Sequence, residues 1–126
     1  MDGFDHLHID PDLACDFLKV FSRFEYALKA AGFVVGNESK VKPNWDKFAN
    51  KIDDKFDPDS SDQLREAYDY LFDNPPRKQV LRDCELRFED VRVNANQKLT
   101  QQLLTYVRRV RNNLFHGGKF LPGDER

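Results

Sequence analysis

Between Leu13 and Ala31 the apolar side chains recur at steps of three and four: Leu13, Phe17, Val20, Phe21, Phe24, Leu28 and Ala31. Only a helix gathers such positions into one stripe. The ends agree with that reading. Asp10 suits an N-cap, Pro11 suits the first helical position, and Gly32 suits the stop. Glu25 flanks the stripe, and Tyr26 points away from it.

The same rule predicts more helices further on. Pro43 opens a shorter one with Trp45, Phe48, Ala49 and Ile52 inward. Ser60 and Gln63 stand at capping-box spacing before Leu64, Ala67, Tyr68, Leu71 and Phe72, and Asn74-Pro75-Pro76 ends that stripe. A last helix runs from about Ala95 to about Phe115 on Leu99, Leu103, Val107, Val110 and Leu114, with Gly117-Gly118 stopping it. Residues 33–42 read as a connection, and residues 53–61 as an acidic, turn-rich loop. Partial alternation of Leu86, Phe88, Val91 and Val93 allows a short extended segment within 77–94. Four helical segments in 126 residues predict one all-α domain, a bundle.

A formal net charge of −2 excludes nucleic-acid binding by bulk attraction, so any such contact needs a local patch. Cys15 and Cys84 lie far apart without CxxC spacing, which reads as two buried thiols in a reducing compartment. The acidic start MDGFDHLHIDPD is unlike a signal peptide, and no stretch approaches the roughly 18 apolar residues of a membrane span. A cytoplasmic protein without a membrane association is expected. His6 and His8 form an HxH pair with no third ligand nearby in sequence. The run Asp53, Asp54, Asp57, Asp59, Asp62 lacks the glycine and terminal glutamate of a calcium loop. No metal or other cofactor is expected.

The segment with chemistry in it is Arg111-Asn112-Asn113-Leu114-Phe115-His116. On a helical wheel Leu103, Val107, Val110 and Leu114 form the core side, while Thr105, Arg109, Asn112 and His116 fall opposite. Asn112 and His116 are one turn apart, and Arg111 lies between the faces with a side chain long enough to join them. Arg108, Arg109 and Lys119 add cations near the same helix end. Histidine exchanges protons near neutral pH, and the arginine fork matches phosphate oxygens. Together they suit attack on an RNA phosphodiester, where the 2′-hydroxyl is the internal nucleophile and no metal is needed. The bland alternative is a solvated helix end whose cations oppose the helix dipole.

The segment Arg111 to His116 resembles the Arg-(four to six residues)-His signature of the HEPN superfamily, in which a polar Asn directly after the Arg is the favoured variant. VRRVRNNLFHGGK (Val107 to Lys119) is similar to a bacterial, often plasmid-borne subfamily, and FSRFEYALKAAGF (Phe21 to Phe33) resembles its opening helix. The resemblance implies a small helical bundle of four to five helices that dimerises so that two Arg/His motifs face each other across a cleft. It implies a metal-independent endoribonuclease, with roles as toxin or in defence, and RNA, an antitoxin or another protein as partner. Arg111 would contact the scissile phosphate, and His116 would act as general acid or base or orient the attacking hydroxyl. Asn112 would position the motif. Other members are inactive modules that bind RNA or protein. Glu25 is a candidate acidic partner for Arg111 or His116, with a surface ion pair as the alternative. Family members usually carry a further helix after the motif, whereas this chain ends at Arg126, so either that helix is missing or the form is shorter.

Overall fold

A computed structural model describes residues 10–116, with side chains described as far as Leu114. Helix α1 spans Pro11–Ala30. Its N-cap forms as the sequence predicts, with the Asp12 amide donating to Asp10 Oδ1 at 2.9 Å. At the other end Gly32 adopts φ +93°, and the amides of Phe33 and Gly32 donate back to the carbonyls of Leu28 and Lys29. That pair of bonds is the Schellman stop, and it aims Phe33 into the core beside Leu28.

The chain then reverses through β1 (Val34–Gly36) and β2 (Val41–Pro43), an antiparallel pair with Val35 opposite Lys42. Asn37 Oδ1 closes the loop by accepting from the amides of Ser39 and Lys40. Gly36 is required here: at φ +116° a Cβ would lie 2.0 Å from the Lys40 carbonyl oxygen. Helix α2 (Trp45–Ile52) starts at Trp45 with Asn44 as cap, so Pro43 belongs to the strand before it. A 3-10 turn, Pro58–Ser60, precedes α3 (Asp62–Asp73). It absorbs Ser60, so the cap is Ser61, whose hydroxyl accepts from the Leu64 amide at 3.0 Å.

A second hairpin follows, β3 (Lys78–Arg82) and β4 (Glu85–Glu89), in register Lys78↔Glu89 and Leu81↔Leu86. Its two-residue turn, Asp83-Cys84, sits in the left-handed region at φ 51° and 65°. Helix α4 spans Leu99–His116. It begins at the first residue of its apolar stripe rather than at about Ala95, because Asn94 Oδ1 captures the Asn96 amide and holds a turn there.

Two aromatic groups make the interior, and α4 contributes to both. Phe21, Leu28 and Trp45 form one, with Phe17, Phe33, Phe48, Leu104 and Val107 packed around them. The Phe21 and Trp45 rings lie 5.3 Å apart, and Phe48 meets Phe24 and Phe33 edge-on. The other runs from Phe56 through Tyr68 and Phe72 to Tyr106. Each such ring stabilises by about 1.5–3 kcal/mol when fully buried.

The all-α expectation is corrected. Four helices are present, but two antiparallel two-stranded sheets join them, so the fold is mixed α and β. Both hairpins are surface ribbons without a buried strand face, so the first leaves no in-out alternation in the sequence and the second only the partial one at Leu86 and Phe88, where β4 lies within the extended segment expected in 77–94. Cys15 and Cys84 are free but exposed rather than buried. Leu13, Val20 and Leu99, assigned to core stripes, are also exposed. No helix among the described residues is long and apolar enough to cross a membrane.

Candidate functional site

Helix α4 presents its charged residues in three different directions. Leu104 and Val107 pack toward α1 and α2, and Tyr106 packs toward α3 through Phe72. Arg111 is half-buried on the α1 side, with its guanidinium 5.8 Å from the Phe21 ring centroid. From there its Nη1 donates to Asn112 Oδ1 at 3.2 Å, so the arginine does reach round to the exposed asparagine. His116 is the final residue of α4, one helical turn past Asn112. The histidine side chain lies outside the described residues, as do Lys119 and the His6/His8 pair.

Arg108 is exposed and sits over Trp45, 5.5 Å from the ring centroid. Arg109 behaves otherwise. The wheel assigns it to solvent, yet it is only 9% exposed because the β3–β4 hairpin covers that side of α4. Its Nη1 donates to the carbonyls of Val91 and Pro76. Those carbonyls stand just after β4 and just before β3, so one guanidinium clamps both ends of the hairpin. Asn113 adds a third tie, donating from Nδ2 to the Arg77 carbonyl at 2.9 Å. Burial pushes the pKa of Arg109 below the ordinary arginine range, but a guanidinium stays charged at any physiological pH.

The clamp creates a groove of about 470 Å³ between α4 and β3. Lys78 and Gln79 line the strand side, and Arg108, Arg109, Asn112 and Asn113 line the helix side. Sequence reasoning missed Lys78 and Gln79, because nothing in a helical wheel shows which strand will lie alongside. Asn112 belongs both to the groove and to the Arg111 motif.

Glu25 is half-buried on α1, and the ion pairs formed among the described residues do not include it. Tyr26 is exposed. No group of three or more His, Cys, Asp or Glu among the described residues is placed to hold a metal ion. Comparison with protein-family models, curated proteins and solved structures finds no match.

Proposed function

We propose that this chain is a metal-independent endoribonuclease of the HEPN type, active as a homodimer with a composite site built on Arg111 and His116. The observation that carries the reading is local. Arg111 is fixed against Phe21 and bonded to Asn112, one turn from His116, on the last two turns of one helix. A guanidinium held in place, with a histidine further along the same helix, suits in-line cleavage of RNA.

In that reaction the 2′-oxygen bonds to phosphorus as the bond from phosphorus to the 5′-oxygen breaks. One group removes the 2′-hydroxyl proton and another supplies a proton to the departing 5′-oxygen. Two histidines facing each other across a dimer cleft provide both roles. Arg111 stabilises the charge that accumulates on the non-bridging oxygens. The strip of exposed apolar side chains on α1, Leu13, Val20 and Phe24, supports a second copy as the neighbour. A role as toxin or defence factor, under control of an antitoxin, belongs to the same proposal.

The test is cleavage of a mixed RNA substrate in EDTA. The wild type is expected to cut, and His116→Ala and Arg111→Ala to lose about a hundred- to thousand-fold in rate. Undiminished cleavage by His116→Ala refutes the proposal. Binding by every chain with cleavage by none selects a non-catalytic RNA-binding module instead.

A further inference from the structure

The groove between α4 and β3 holds an imbalance of charge. Its charged lining residues are Lys78, Arg108 and Arg109, and no Asp or Glu among the described residues joins them. Arg109 is more than nine-tenths buried, and no carboxylate pairs with it among the described residues. Its partners are the two carbonyls and the face of Tyr106, 5.5 Å away. A guanidinium carries five N–H donors, and both carbonyls are reached from Nη1 alone. A buried cation without a countercharge is costly, and proteins ordinarily neutralise one.

The acids of β4 and of the residue after it are committed elsewhere. Glu89, the cross-strand neighbour of Lys78, accepts from Arg82 at 2.8 Å, and Glu85 accepts from Arg87. Asp90 lies 3.7 Å from Arg77. Lys78 and Arg108 therefore line the groove with no ion pair among the described residues, and the Arg108 guanidinium rests over the Trp45 ring. The amide residues Gln79, Asn112 and Asn113 also line the groove and bring no charge. At about 470 Å³ the groove is of small-ligand size.

We infer that this groove binds a phosphate-bearing nucleotide unit of an RNA strand, with the phosphate between Lys78 and Arg108 and against Arg109. The assignment of RNA rests on the ribonuclease reading, and Asn112 joins the groove to that motif. The strand would thus be gripped on the hairpin side of α4 and cut at its end. Lys78 and Arg108 are the binding cations, and Arg109 is a positioning residue that also presents charge.

The experiment measures binding of a fluorescein-labelled oligoribonucleotide by anisotropy, in EDTA, over a series of salt concentrations. It uses the full chain with His116→Ala to prevent cleavage. Adding Lys78→Gln and Arg108→Gln together is expected to weaken binding on the order of tenfold. The slope of log affinity against log salt should fall by about 1.4, at about 0.7 per phosphate contact on a single strand. Lys51→Gln, on α2 and outside the groove, should leave the slope unchanged. Both groove residues lie at the surface, and circular dichroism checks that the double variant folds. An unchanged slope and affinity overturns the inference. If the wild type cleaves RNA while the double variant binds normally, the groove assignment fails and the nuclease stands. If no chain cleaves but binding depends on Lys78 and Arg108, the nuclease fails and the groove stands.

Discussion

Arg108, Arg109 and Arg111 lie within four consecutive positions of one helix, yet each does something different. Arg108 covers an indole, Arg109 ties down a hairpin, and Arg111 leans on a phenyl ring to meet Asn112. The position of Arg111 between core and solvent was legible from helical geometry, because that depends only on its own helix. The burial of Arg109 was not, because it depends on an element about twenty residues earlier in the chain. Arg109→Met keeps much of the volume but leaves the Pro76 and Val91 carbonyls without their donor. It should cost about 1–3 kcal/mol in urea unfolding. Arg109→Lys should recover only part of that, since an ammonium lacks the planar fork. A midpoint unchanged in the Met variant would show that the hairpin docks without the clamp.

Helix ends with local caps were the most readable. Asp10 and Gly32 bracket α1 by interactions within a few residues of each end, so the sequence carried both boundaries. Ser60 misled by one position because a proline-initiated 3-10 turn consumes it. The first hairpin escaped, and of the second only an extended segment was readable, for a different reason. β1 and β2 are three residues each, and the β3–β4 turn is Asp83-Cys84 rather than the Asn-Gly that advertises such a turn. Neither residue is at ease with positive φ as glycine is. Replacing the pair with Asn-Gly should stabilise the chain by up to about 1 kcal/mol. Calorimetric melting of the double variant checks this, and a lowered melting temperature would contradict the turn geometry.

The whole molecule is less closed than its apolar content suggests. The stripe on α1 is wider than the surface that α2 and α4 cover: Phe21 and Leu28 are buried, while Leu13 is 65% and Val20 63% exposed. The number of helices was legible from periodicity, but the layers were not, because periodicity gives an apolar face and not what lies upon it. The proposed dimer assigns that remaining strip. Val20→Asp should change monomer stability by no more than about 0.5 kcal/mol, as exposed positions do. In sedimentation velocity it should convert a concentration-dependent dimer to monomer, and RNA cleavage should fall with it. A wild type that sediments as a monomer at every concentration tested would reject the homodimer.

Trp45 is the only tryptophan of the chain, and it is buried where α1 and α4 meet α2. Phe21 and Phe24 stack beside it, and Arg108 from the groove lies over it. The indole emission of the protein thus comes from one point, beside Arg108. The chain carries its own optical probe there, with no label to attach, and the tyrosines around Tyr68 and Tyr106 stay dark when only the indole is excited.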